Sequence, residues 1–173
     1  GTTATIYSSV PTLIGKKRDE LYRFIKSIFF YQTLFSLIII LTLVLSFPFL
    51  DRIFFKTGAP IIELYLTCAS VLFFIWQNFV TNILFAAKKF LKANIYNNLA
   101  NIIKTLVLFL LVGAKMVNVG TIIFVFGIIG PLIFFLLLFI EKKDLVFVVF
   151  KAKVEKEHFK FKYTFTYFIS SQL

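Results

Sequence analysis

Four stretches of this chain, residues 27 to 50, 64 to 87, 93 to 114 and 116 to 140, run uncharged or nearly so for the thickness of a bilayer. A helix rises about 1.5 Å per residue, so roughly 20 residues cross a hydrocarbon core of about 30 Å, and each stretch is long enough. The pattern predicts an all-α fold, a polytopic transmembrane helical bundle. A transmembrane β-barrel would instead need short segments of alternating polarity. Residues 1 to 15 are also uncharged, and another apolar stretch opens at Tyr163. The sequence is therefore expected to be a piece of a larger protein, cut inside one membrane helix at each end.

Hydrophobic residues make up 60% of the chain and charged residues only 16%, where a soluble domain carries about a quarter charged. That much apolar surface exceeds what a core of this size can bury, so the excess is expected to face lipid. The single cysteine, Cys68, falls inside an apolar stretch, and the single histidine, His158, in a charged one. Neither a disulfide framework nor a metal site is expected from them. No cofactor is expected either.

A net charge of +11 would suggest nucleic acid for a soluble protein, but its distribution points elsewhere. The first break between spans holds Lys16, Lys17, Arg18, Arg23 and Lys26, the third holds Lys88, Lys89 and Lys92, and the fifth, residues 141 to 162, holds seven lysines. The second has Arg52 and Lys56, and the fourth Lys115 alone. Lys and Arg accumulate in the short loops on the cytoplasmic side, so the first, third and fifth breaks are expected on the cytoplasmic side of a cell membrane. Single cysteines at Lys17, Lys89 and Lys156, in a chain lacking Cys68, should then be shielded from an impermeant thiol reagent in intact cells. Those at Lys56 and Lys115 should label, and the reverse pattern would overturn the topology.

Punctuation within the spans is sparse. Pro48 followed by Asp51 reads as a helix terminus at the membrane interface, and Gly58 with Pro60 as a turn. Gly113 and Gly120 bracket a short hairpin. Gly127, Gly130 and Pro131 fall near the middle of the last span, where small residues and a proline predict either a kink packed on a neighbour or a hinge.

Polar residues inside the spans are the candidate site. On the helix after Lys92, residues Asn94, Asn97, Asn98, Asn101, Lys104 and Thr105 project onto one arc of roughly 120°, while Tyr96, Leu99, Ile103 and Val107 fall on the far, lipid-facing side. Lys104 lies about 15 Å along the axis from Asn94, near mid-membrane, where an ammonium costs a few kcal/mol unless it meets water or an anion. The spans contain no acid. The stripe is expected to line a water-filled cavity. Thr67, Ser70, Gln77, Asn78 and Thr81 form a second polar set on the preceding span, which fits interhelical hydrogen bonding as well as a cavity wall. Asn97, Asn101, Lys104, Gln77 and Asn78 are the candidate substrate-binding residues.

The acidic residues fall in loops or at helix ends, and no Gly-rich phosphate loop or nucleophile and base grouping is visible within the spans. The expectation is a protein that is not an enzyme and has no catalytic residues.

The opening GTTATIYSSVPTLIGKKRDELYRFIKSIFF, the run FAAKKFLKANIYNNLANIIKTLVLFLL and the stretch FKFKYTFTYFISSQL together resemble the polysaccharide-biosynthesis flippases. These are the Wzx-type transporters of the multidrug/oligosaccharidyl-lipid/polysaccharide exporter superfamily. The first resembles the end of that family's second helix and the start of its third, the next the basic turn into its fifth, and the last the entry to its seventh. The resemblance implies two bundles of helices around a central cavity, with this chain the partial N-terminal half and a C-terminal half missing. Residues 1 to 140 would then hold the remnant of helix two and helices three to six, residues 141 to 162 a basic cytoplasmic linker, and residues 163 to 173 the next helix. The LVFVVF core of the linker fits either a segment lying on anionic lipid or a solvated connector.

The function implied is movement of a lipid-linked oligosaccharide across the cell membrane. The implied partners are that substrate, membrane lipids and the missing half, with no nucleic acid. A drug or cation antiporter of the same superfamily and a non-transporting membrane scaffold are the alternatives. The first should prefer acidic residues in its cavity, which the spans lack.

Overall fold

In the computed structural model, which describes residues 2–15, 18–56 and 61–155, the apolar stretches are helices. The helices are α1 (Thr2–Ile14), α2 (Arg18–Leu50), α3 (Ile61–Ala86), α4 (Phe90–Gly113), α5 (Val119–Phe124) and α6 (Gly130–Lys151). A π-helical turn, Asp51–Phe55, extends α2, and another, Val125–Ile129, joins α5 to α6. No strand occurs among the described residues. The linker beyond Glu155 and the helix expected from residue 163 lie outside them.

Four continuous helical stretches, Arg18–Phe54, Ile61–Ala86, Phe90–Gly113 and Val119–Lys151, are long and apolar enough to cross a membrane. Between 6% and 22% of the residues in their most apolar windows are buried within the chain, so most of that surface faces outward. A bundle meant for water would hide these side chains, because each large apolar one contributes about 1.5–3 kcal/mol when removed from it. The arrangement is that of a multi-pass membrane protein.

Short turns with their own backbone hydrogen bonds join α3 to α4 and α4 to α5. Lys56, Lys88 and Lys115 each adopt a positive φ (50°, 58° and 56°) just past a helix end. Glycine fills this left-handed position more cheaply, but a lysine there sets a positive charge against the negative end of the helix dipole. α5 opens on a capping box. Asn118 Oδ1 accepts the Thr121 N–H at 2.8 Å, and Thr121 Oγ1 accepts the Asn118 N–H at 2.8 Å.

Two apolar clusters hold the helices together. Ile6 and Val10 of α1, Phe24 and Ile28 of α2, and Phe79 and Ala86 of α3 form the first. Beside it the Phe29 ring lies 5.4 Å from Phe79 and 5.9 Å from Trp76, whose indole N–H donates to Thr33 Oγ1 at 3.0 Å. Tyr96 and Ala100 of α4 with Phe134 of α6 form the second, with Val80 and Leu84 of α3 packed against it.

These contacts gather the described basic residues of the first, third and fifth breaks at one end of the bundle. Phe24, near the start of α2, packs with Ala86 at the end of α3. Lys92, at the start of α4, donates to Glu141 of α6, and Arg23 Nη1 lies 2.6 Å from Glu155 Oε1.

One sequence expectation needs correction. Pro48 does not end its helix, because the chain stays helical through Leu50 and the following π turn, Asp51–Phe55. A proline removes one ladder bond and is tolerated in membrane helices where local hydrogen bonding adjusts around it. The Ser46 hydroxyl, just before it, donates to the Thr42 and Leu43 carbonyls at 2.8 and 3.3 Å. The helix of the last span runs on past residue 140 to Lys151, with a break at Lys142 (φ −132°, ψ 31°).

Candidate functional site

α4 presents three faces rather than two. Ala93, Tyr96 and Ala100 recur at helical spacing and are buried. The small alanines flank Tyr96 and let the neighbouring helices close on it. Phe134 meets its ring edge-on at 5.9 Å. A second arc, with Ile95, Leu99, Ile102, Ile103 and Leu106, is apolar and exposed. Between these two lies the polar arc. Within it Asn94, Asn98, Asn101 and Thr105 are exposed, while Asn97 and Lys104, at its margin with the buried face, are half-buried.

Tyr96 is therefore not on the lipid side, as the projection suggested, but inside. A 100° projection orders residues around one axis but does not say where the neighbouring helices stand. The polar stripe is left open by the described residues, while the far apolar side has the exposure expected of a lipid face.

The structure joins some candidate residues and separates others. Gln77 Nε2 of α3 donates to Asn97 Oδ1 of α4 at 2.8 Å, fixing the two amides together across the helix interface. Membrane hydrogen bonds of this kind contribute about 0.6 to 2 kcal/mol. Asn101 remains exposed; its carbonyl accepts the Thr105 hydroxyl at 2.8 Å. Asn78 belongs to another group, accepting from Asn82 Nδ2 at 3.5 Å, while Asn82 Oδ1 accepts from Tyr7 of α1 at 3.5 Å. It lies on the α1 side of α3, whereas Gln77 lies on the α4 side.

Lys104 sits about two turns above Asn97, roughly 10 Å along the axis. Its ammonium lies 5.0 Å from the centroid of the Phe126 ring, in cation–π range. The stem crosses Gly130: a Cβ there would stand 3.2 Å from Lys104 Cδ and 3.9 Å from Nζ. The other glycine of the motif, Gly127, receives α3, since a Cβ on it would fall 2.2 Å from Ser70 Cβ. The G-x-x-G-P cluster thus packs on two neighbours at once, and the π turn with Pro131 after it is the local irregularity that aims both glycines.

Two features escaped sequence reasoning. Glu141, itself exposed, accepts hydrogen bonds from both Lys92 and Tyr96, four residues apart on α4, with Lys142 Nζ 3.4 Å away. The i, i+4 spacing of Lys92 and Tyr96 was the available signal. Gln32 of α2 carries a buried Oε1 with no hydrogen-bond partner among the described residues, and nothing in its local sequence marks it.

Chemically, the α4 arc offers amides that both donate and accept, beside one cation held near mid-helix. Such a surface can exchange hydrogen bonds with hydroxyl groups and pair with a phosphate or carboxylate. No known protein family, curated protein or solved structure matches this chain.

Proposed function

We propose that this chain is part of a membrane transporter that moves a lipid-linked oligosaccharide across the cell membrane, with the basic end of the bundle cytoplasmic. The observation that carries this reading is the open polar arc of α4. A cation and four exposed amide or hydroxyl side chains line one side of a helix apolar enough to span a bilayer. Facing lipid, each of these groups would be costly; facing an aqueous cavity shared with a second helical unit, they would meet water and substrate.

A lipid-linked oligosaccharide fits the arc's chemistry. Its hydroxyl-rich head suits Asn97, Asn101 and the Gln77 amide joined to Asn97, and its phosphate suits Lys104. Transport would follow from rocking of two helical units about that site, as in repeat-built transporters. No covalent step is required of the residues in the arc.

The test is complementation. The complete reading frame, expressed in a host lacking its own oligosaccharide flippase, should restore surface glycan in proportion to expression. Normal membrane insertion with no restored glycan, across hosts that supply different lipid-linked glycans, would sink the proposal.

A further inference from the structure

The chain beyond the last apolar span lies in a position that the α4 arc does not explain. After the break at Lys142, helix resumes to Lys151. At about 1.5 Å per residue a straight continuation would carry Glu155 some 20 Å past Ile140. Instead Arg23 Nη1 donates to Glu155 Oε1 at 2.6 Å, Ser27 Oγ accepts the Glu155 N–H at 2.8 Å, and Lys26 donates to the Phe150 carbonyl. Those partners belong to the start of α2, beside Phe24 and level with the end of α3. The segment therefore crosses the basic end of the bundle rather than projecting away from it.

Phe147 and Phe150, three residues apart on one side of this short helix, are 53% and 63% exposed. The Phe147 ring meets Phe139 edge-on at 5.8 Å, and Phe139 is itself exposed on the apolar span. The outward apolar surface of α6 thus continues around the break onto the crossing helix. Lys143, Lys151 and Lys153 accompany it and are exposed. A bilayer interface covers rings of this kind while lysine stems reach the headgroup phosphates.

We propose that residues 143–151 form a membrane-surface helix, seated with Phe147 and Phe150 at the headgroup boundary of an anionic leaflet and with the lysines on lipid phosphates. The occupant of this face is the lipid surface itself. The assignment is independent of what the α4 arc transports.

The full chain in lipid nanodiscs provides the test, with Trp76→Phe removing the native tryptophan and Phe147→Trp or Phe150→Trp reporting depth. Both reporters should be quenched by lipids brominated near the headgroup and only weakly by lipids brominated at the chain end. Replacing anionic by zwitterionic lipid should lower the quenching. Each of Lys143→Gln, Lys151→Gln and Lys153→Gln should weaken docking by about fivefold, the factor equivalent to roughly 1 kcal/mol per surface lysine. Absence of quenching for both reporters, in protein that elutes like the parent, would overturn the proposal. So would stronger quenching from the chain end, or indifference to anionic lipid.

Discussion

Replacing Gly127 by alanine should loosen the bundle more than the same change at any other described glycine. The new Cβ would stand 2.0 Å from Ser70 Oγ, 2.2 Å from Ser70 Cβ and 3.2 Å from Ser70 Cα. No rotation of the serine hydroxyl relieves a clash with its own Cβ, so α3 and the π turn must separate. Overpacking of this kind costs about 1–3 kcal/mol. The thermal midpoint of the detergent-solubilised protein, read by size-exclusion chromatography after heating, should fall accordingly. Ser70→Ala should not rescue it, because the obstructing carbon remains. Ser70→Gly should, at its own cost of roughly 0.5–1 kcal/mol for a mid-helix glycine. A Gly127→Ala protein as stable as the parent would show that the π turn yields freely, and would remove close packing as the reason for this glycine.

Lys104→Ala should leave insertion and yield intact while reducing transport by roughly tenfold or more. That loss corresponds to a charge-assisted contact of about 1.5–3 kcal/mol made to an anionic substrate. Lys104→Arg should keep part of the activity, since charge persists but the planar guanidinium does not reproduce a compact ammonium. The opposite pattern would mark the lysine as structural: alanine neutral or better expressed, because it removes a costly intramembrane charge, and arginine worse. Gly130→Ala separates position from charge. Its Cβ, 3.2 Å from Lys104 Cδ, would shift the stem and move the ammonium relative to Phe126 without altering either group. A partial transport loss in Gly130→Ala with normal yield would show that placement of the cation matters. Surface glycan and membrane-inserted protein, measured together for all variants, distinguish these outcomes, and full transport in Lys104→Ala would strike the residue from the site.

The α4 arc was legible in the sequence because helix periodicity is local: once residues 93 to 114 are helical, Asn97, Asn101 and Lys104 must share a side. Its partners were not. Gln77 joins Asn97 while Asn78, the next residue, turns toward Asn82 and α1, a split fixed by where α1 and α4 lie against α3. Likewise Tyr96, polar only at its tip, projected onto the lipid side until Phe134 and the flanking alanines enclosed it and Glu141 accepted a hydrogen bond from its hydroxyl.

By itself the sequence determined the four long apolar helices, the alternation of basic and poorly charged breaks between them and the position of Lys104 along α4. All of these depend on length, hydropathy and charge along one dimension. Only the tertiary structure decided which arc of each helix is covered, that Gly127 and Gly130 admit Ser70 and Lys104, and that the chain after Lys142 folds back onto α2. The reason is that periodicity fixes angles about a helix's own axis, whereas contact depends on the positions of other axes, which residues far apart in the chain set together.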